Sequence, residues 1–177
     1  DNVLQPKPLT QPRPFIYAGG ESERAKDLIS SQCDGYVMHG DSPELIGRRI
    51  ADMQERRDKK GLPPMQYGVA AYSIIRNTEA EVKKELERIT NVQEGSAGYN
   101  NYQQWLSGTQ LEQKLSLEDY SVSNRGLRSG LTGTPQQVQD RIGEFEQAGV
   151  DLFLLQCSPQ LEEMERFSEA VIQSSLV

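Results

Sequence analysis

Short apolar runs alternate along this chain with longer segments in which apolar residues recur every three or four positions. The apolar runs predict strands at residues 15–18, 35–39, 68–75 and 150–156. Because these runs are apolar throughout, they predict strands buried on both faces, as in a parallel sheet covered by helices. The periodic segments predict amphipathic helices, and the alternation of the two predicts an α/β fold.

Each predicted helix begins at a residue that can cap its first N–H groups. The start signals are Ser22, Ser42 with Pro43, Thr78 with Glu81, Thr134 with Pro135 and Gln137, and Ser158 with Pro159. Serine or threonine before a helix accepts a backbone N–H, and proline in the first position has no N–H to lose. A glutamate or glutamine three residues after threonine completes a capping box. In the last helix, Leu161, Met164 and Phe167 form the face predicted to pack on the core.

The periodic pattern is interrupted between about residues 91 and 133, where Gly, Ser, Asn and Gln predominate. Tyr99, Tyr102, Trp105 and Tyr120 lie in this segment. A segment this long without periodicity, inside a compact domain, predicts a functional loop or an insertion. Two interpretations stay open: a lid that closes over a site, or a surface insertion whose aromatic rings pack against the body of the domain.

Repeated strand and helix units fit two architectures that periodicity does not distinguish. One is half of a (β/α)8 TIM barrel, with the long insertion before the penultimate helix, and the other is part of a doubly wound sheet. A complete barrel needs about 250 residues, so the barrel interpretation requires a second half outside these 177 residues. Proline-rich residues 1–14 are predicted to be a connector, with the half-barrel at 15–177. The connector favours a segment of a longer protein; a processed terminus on a small domain is the alternative.

Composition argues against some classes of partner. The formal net charge is -7, and the scattered Lys and Arg do not supply the basic surface that nucleic acid or an anionic membrane requires. No apolar run approaches a membrane span, and no signal peptide is visible. Cys33 and Cys157 lie far apart, without the spacing of a metal site or a disulfide framework. We therefore expect a cytoplasmic protein that holds no metal.

The strongest candidate for chemistry is the turn Gly19, Gly20, Glu21 and Ser22, between the first strand and the first helix. A strand, a glycine turn and a helix N-terminus in this order bring backbone N–H groups and the positive end of a helix dipole to one point. The turn therefore predicts an anion site for a phosphate-bearing ligand. A tight turn without a ligand is the alternative that this pattern leaves open.

Other polar residues give weaker signals. His39 is the only histidine and lies at the carboxyl end of the second predicted strand, where active sites of barrels are built; we interpret it as a pocket wall or as a packed histidine. Cys157, at the end of the last strand, is expected to be a small buried residue rather than a nucleophile. The glutamates of the last helix, Glu162, Glu163 and Glu165, are expected on a solvated face rather than at a metal.

Several of these segments together resemble a known family. The chain resembles the carboxyl-terminal half of bacterial-luciferase-like flavin monooxygenases, and the resemblance lies in residues 13–22, 33–40, 131–135 and 149–151. Residues 124–128 and 158–167 resemble most the alkanesulfonate and dimethylsulfone monooxygenases within that family. The resemblance covers nearly the whole chain.

The resemblance implies barrel strands five to eight and a monooxygenase that uses O2 and reduced FMN (FMNH2), delivered by a flavin reductase, to oxidise a small organosulfur compound. It implies that the flavin phosphate lies at residues 19–22 and that Arg125 or Arg128 holds the insertion closed over the flavin. Our own interpretation of His39 as a pocket wall adds this residue to the expected flavin site. Substrate contacts in the family lie mostly in the missing N-terminal half of the barrel, so the chain alone is expected to be inactive, and a homo-oligomer is expected. The alternative is a half-barrel that binds flavin or a partner without catalysis.

Overall fold

The computed structural model describes residues 7–10, 13–108, 116–117 and 126–173. Its strands are β1 (Tyr17–Ala18), β2 (Gly35–His39), β3 (Gln66–Tyr72), β4 (Ile74–Ile75), β5 (Thr132–Gly133) and β6 (Leu152–Gln156). Its α-helices are α1 (Glu23–Gln32), α2 (Pro43–Lys59), α3 (Glu79–Thr90), α4 (Ala97–Gly108), α5 (Pro135–Gln147) and α6 (Gln160–Phe167). A 3-10 turn covers Gly126–Ser129, and a π-helical turn, Ser168–Ile172, extends α6.

The main sheet has four parallel strands in the order β1-β2-β3-β6. Strands of this sheet that follow one another in sequence are also neighbours in space. Along the chain, α1, α2 and α5 lie between consecutive strands of the sheet. A doubly wound sheet reverses its strand order at a switch point, and no reversal occurs among these strands. Sequential parallel order is the arrangement of a (β/α)8 barrel, so the sheet corresponds to four strands of one.

The two faces of the main sheet differ. Tyr36, Met38 and Val69 point toward the helices and join a buried core cluster with Ile46 and Phe145. Residues between them along the strands point to the opposite face. β3 is buried at most positions on both faces, so the expectation of double burial is correct for that strand. It is wrong for β6, an edge strand whose residues are half-buried or exposed.

The predicted helix caps can be compared directly with the structure. The Ser22 Oγ accepts the Ala25 N–H at 3.2 Å, and capping boxes form at Thr78 and at Thr134. These predictions are confirmed. They could be made from the sequence because a cap depends only on residues three apart. The last helix differs: it begins at Gln160, after a residue that makes no side-chain cap bond.

The face predicted for the last helix is only partly correct: Phe167 packs against a buried cluster, but the other two residues do not. Leu161 is 66% exposed and Met164 is 56% exposed, whereas Glu163, which we expected in solvent, is buried. The Glu163 carboxylate accepts a hydrogen bond from Arg76 Nη1 at 2.8 Å. An ion pair to the end of β4 therefore decides which face of α6 turns inward.

The segment that lacks periodicity contains regular structure where it is described. α4 occupies Ala97–Gly108, and Tyr102 and Trp105 stack in it with their ring centroids 6.5 Å apart. β5 pairs in parallel with β4 in a second, two-stranded sheet. Loop structure is thus the wrong prediction for Ala97–Gly108. Tyr99, Tyr102 and Trp105 recur every three residues and are half-buried along one face of α4, which is a helical spacing. The choice between a lid and a surface insertion remains a prediction.

Candidate functional site

The glycine turn between β1 and α1 brings backbone unusually close to its neighbours. A Cβ atom on Gly20 would lie 2.7 Å from Ala25 Cβ, and one on Gly19 would lie 3.0 Å from the Val37 carbonyl oxygen. Real Cβ atoms essentially never approach as closely as 2.7 Å, so Gly20 requires glycine, whereas a Cβ on Gly19 would need its neighbour to shift by a few tenths of an ångström. The main chain at this turn is exposed to a ligand without side chains in between.

The helix that follows the turn presents donors to the same place. Ser22 caps it in extended conformation, with φ -66 and ψ 150, and the Lys26 N–H begins the helical ladder by donating to the Ser22 carbonyl. The N–H groups of Glu23 and Arg24, in the first turn, have no carbonyl partner within the helix. The Ser22 hydroxyl accepts from Ala25 and keeps its own hydrogen for donation. These donors, with the helix dipole, favour an anion.

The negative charge of Glu23, the first residue of α1, is neutralised by ion pairs on the outer side of this helix. The Glu23 carboxylate is bonded to Lys26 and to Arg56, each at 2.5 Å. The hydrogen bond from Lys26, followed by the one from Arg56, lowers the pKa of Glu23. Because this carboxylate is turned toward α2 and neutralised there, it opposes an anion at the turn less than an unpaired glutamate would.

A cavity of about 540 Å³ opens in front of the turn. It lies at the carboxyl ends of the parallel strands, where active sites of barrels are found. His39, the last residue of β2, pairs in register with Ala70 of β3 and forms one wall. The structure thus brings all five residues predicted for the flavin site around one cavity, whose lining residues are Gly19, Gly20, Glu21, Ser22, Val37, Met38, His39 and Ala70.

Only one of the two arginines predicted to act in closure lies among the described residues. Arg128 is half-buried in the 3-10 turn, next to Leu127, which packs against a cluster that contains Tyr72 and Val82. Arg128 is not among the described residues that line the cavity. Arg125 lies outside the described residues, so its role remains a prediction.

The remaining candidates carry no site in the described part of the chain. Cys33 and Cys157 are free thiols, and burial raises the pKa of Cys157. Cys157 is partly exposed, which differs from the burial expected for it. Among the described residues no group of three His, Cys, Asp or Glu side chains could hold a metal ion, and none of the described helices has the length and apolar character of a membrane span.

Sequence reasoning missed a buried hydroxyl behind the turn. Tyr36 of β2 is 1% exposed, and its O–H donates to the Gly20 carbonyl oxygen at 3.0 Å. From the sequence, a tyrosine in a strand is predicted to be a core residue. Only the strand register, with Ala18 opposite Tyr36, shows that the Tyr36 hydroxyl reaches the turn.

The order of the strands and this cavity define the class of the molecule: half of a (β/α)8 barrel with a glycine turn that lines a cavity at its carboxyl face. The sequence profile of the luciferase-like monooxygenases matches residues 1–152, so the chain belongs to that family. An FMNH2-dependent dimethylsulfone monooxygenase from Pseudomonas putida is 32% identical over 179 residues, which are 97% of this chain and 49% of the relative. The chain therefore spans about half the length of this curated relative.

Solved structures confirm the fold. A long-chain alkane monooxygenase matches with a TM-score of 0.72 at 20% identity, over 92% of this chain and 41% of its own length. A riboflavin lyase, solved with modified FMN and riboflavin, matches with a TM-score of 0.75 at 19% identity, over 91% of this chain and 42% of its own. DmoA from Hyphomicrobium sulfonivorans matches with a TM-score of 0.57 at 16% identity, over 88% and 40% respectively. The prediction of a half-barrel is thus confirmed.

Proposed function

We propose that this chain supplies the carboxyl-terminal half of a monooxygenase barrel that uses reduced FMN and O2 to oxidise a small organosulfur compound, such as a sulfone or an alkanesulfonate. The observation that carries the proposal is the 32% identity, over nearly the whole chain, to the FMNH2-dependent dimethylsulfone monooxygenase. The activity is proposed for the complete barrel. The chain alone is expected to be inactive, since the family resemblance implies substrate contacts in the other half.

The cavity fits the phosphate end of a flavin. Its floor at residues 19–20 has no side chains, a Cβ on Gly20 would collide with Ala25, and the first turn of α1 supplies N–H donors. In the proposal the Ser22 hydroxyl and the N–H groups of Glu23 and Arg24 hold the phosphate, with the dipole of α1 favouring its charge.

The other predicted residues have supporting parts in the proposal. His39 is a wall of the flavin pocket, consistent with its place beside Ala70 in the cavity lining. Arg125 and Arg128 are proposed to hold the insertion in a closed position that keeps water out. A bound flavin would supply the redox chemistry with O2, and the protein would supply position and a dry pocket.

The open edges of the sheet support the partner that a complete barrel requires. Large apolar side chains are exposed at both edges: Tyr17 in β1 with Phe15 just before it, and Leu154 and Leu155 in β6. Unpaired strand edges with exposed apolar residues are sites of strand pairing. The proposed occupant is the amino-terminal half of the same barrel, whose first and fourth strands would pair with β6 and β1.

We also propose a separate flavin reductase as the source of reduced FMN, which the family resemblance implies, together with a homo-oligomeric assembly and a cytoplasmic location. The net charge of -7 is consistent with a protein that binds neither nucleic acid nor an anionic membrane.

The proposal is tested with the full-length protein, a flavin reductase, NADH, FMN and dimethylsulfone. We expect O2 consumption that depends on both the sulfone and the protein. We also expect the dissociation constant for FMN to rise at least about tenfold in Ser22→Ala, because a hydrogen bond to a charged phosphate is lost. Ser22→Ala is preferable to Gly20→Asp, which would also weaken FMN binding but whose Cβ would collide with Ala25.

Glu165→Gln is the control, since Glu165 is exposed in α6 and is not among the described residues that line the cavity. The affinity of this variant for FMN should equal that of the wild type. Equal FMN affinities of wild type and Ser22→Ala would contradict the phosphate site. Flavin binding without turnover of any sulfone or sulfonate would favour the alternative, a non-catalytic flavin-binding module.

The edge pairing has its own test, in which the two halves of the barrel are produced separately and mixed. Leu154→Glu should prevent their association, because a charge would be buried at the seam. Leu45→Glu is the control: Leu45 is also exposed, but it belongs to α2, which packs between α1 and α5, away from both edges. Association of the Leu154→Glu fragment as tight as that of the control would contradict the proposed interface.

A further inference from the structure

Tyr36 connects the buried core to the glycine turn. Its ring packs in the core cluster that includes Ile29 and Met38, and its hydroxyl donates to the Gly20 carbonyl oxygen at 3.0 Å. Burial raises the pKa of Tyr36, and the negative charge of Glu21 raises it further. The hydroxyl therefore stays protonated at neutral pH and acts as a donor.

This hydrogen bond fixes the direction of one peptide group. The bond between Gly20 and Glu21 is not the cis peptide of the described chain, which joins Ser158 and Pro159. In a planar trans peptide the C=O and the following N–H point in opposite directions. Because the Gly20 carbonyl is held toward Tyr36, the Glu21 N–H points away from Tyr36, and both residues of this peptide line the cavity.

The turn depends on such an external restraint because of its own composition. Gly20 must lack a Cβ, which would lie 2.7 Å from Ala25 Cβ, and glycine has the widest backbone freedom of any residue. Gly20 therefore has no side chain that could hold this peptide in one orientation. Tyr36 is opposite Ala18 in the β1–β2 register, and its side chain spans the distance to Gly20, two residues further on.

The geometry points to Tyr36 as a positioning residue that orients the Gly20–Glu21 peptide so that the Glu21 N–H faces the phosphate of the flavin. The inference rests on the proposed function, since it assigns a residue to the phosphate site of that proposal. Tyr36 touches no ligand itself, and its effect passes through the main chain. The ligand group concerned is the terminal phosphate of FMN, which riboflavin lacks.

The test compares the dissociation constants for FMN and for riboflavin by quenching of flavin fluorescence in the full-length protein. Tyr36→Phe keeps the ring and removes the hydroxyl. We expect its FMN dissociation constant to rise about three- to tenfold, the effect of one lost hydrogen bond, while the riboflavin constant changes less than about twofold. A role in packing alone would weaken both flavins equally, so the ratio of the two constants separates the roles.

Tyr67→Phe is the matched control. Tyr67 is in the same buried cluster, and its hydroxyl makes no hydrogen bond with the described residues, so its removal should change neither constant. A ratio for Tyr36→Phe equal to that of wild type would overturn the inference. Failure of the proposed function looks different: wild type itself would then bind FMN no more tightly than riboflavin.

A second measurement covers the case in which Tyr36→Phe does not fold. In the wild-type protein the amide proton resonance of Glu21 should shift strongly when FMN binds and little when riboflavin binds. Equal shifts with the two flavins would overturn the inference without any variant.

Discussion

Replacement of Glu163 by alanine should destabilise the protein, although the sequence places this residue in a run of glutamates. The Glu163 side chain is 5% exposed, and it accepts from Arg76 Nη1 at 2.8 Å. The same Nη1 donates to the Ile75 carbonyl oxygen at 2.7 Å. The pair therefore attaches α6 to the end of β4, and its loss would leave a buried guanidinium with fewer partners.

The magnitude follows from what remains around Arg76. Removal of one partner from a buried ion pair costs about 3–5 kcal/mol when the other charge is left uncompensated. Arg76 Nη2 still has Glu85 at 3.4 Å, and the arginine side chain is 14% exposed. We therefore expect a smaller loss for Glu163→Ala, about 2 kcal/mol in the free energy of unfolding.

Urea unfolding of the full-length protein measures this loss as a lower midpoint with an unchanged slope. Glu162→Ala is the control, since Glu162 is exposed in the same turn and should change the free energy by less than about 0.5 kcal/mol. Replacement of both Glu163 and Glu85 should cost more than the sum of the single changes, because Arg76 then loses both carboxylates. Equal midpoints for Glu163→Ala and Glu162→Ala would refute the reasoning.

Two further predictions concern packing and pH. Gly35→Ala should lower the melting temperature, because its Cβ would lie 2.2 Å from Tyr17 Cδ1; Tyr17→Ala in the same chain should restore part of the loss, and absence of any rescue would count against the clash. The hydrogen bond from Arg88 lowers the pKa of Glu85, so its contribution is present above the unfolded pKa of about 4.3 and is lost as pH falls through the folded value. The difference in urea midpoint between wild type and Glu85→Gln should accordingly be larger at pH 7 than at pH 3, and a constant difference would contradict this.

Much of the fold could be predicted from the sequence because the signals are local. The caps at Ser22, Thr78 and Thr134 join residues three apart, and the strand runs are visible as composition. The glycine turn belongs to the same class, since its two glycines and the helix start are adjacent in sequence. The candidate site could be located from the sequence for that reason.

What the sequence did not predict depends on residues that are distant along the chain. Glu163 is buried because Arg76, 87 residues earlier, lies opposite it, and no spacing in α6 indicates that partner. The Tyr36 hydroxyl reaches Gly20, 16 residues before it, only because β1 and β2 pair in one register. Polar contacts of this kind need the tertiary structure, since hydrophobic periodicity does not report on them.

The exposed face of α6 and the exposed residues of β6 are a different kind of error. The apolar pattern predicted burial for Leu154 and for Leu161, and both are exposed. An apolar stripe predicts that its residues are buried, but it does not predict which segment of the protein buries them. If the proposed amino-terminal half pairs with β6, its first strand and the helix beside it would lie against these residues. The pattern that failed for the isolated half-barrel would then be correct for the closed barrel, and the mismatch itself marks the seam between the two halves.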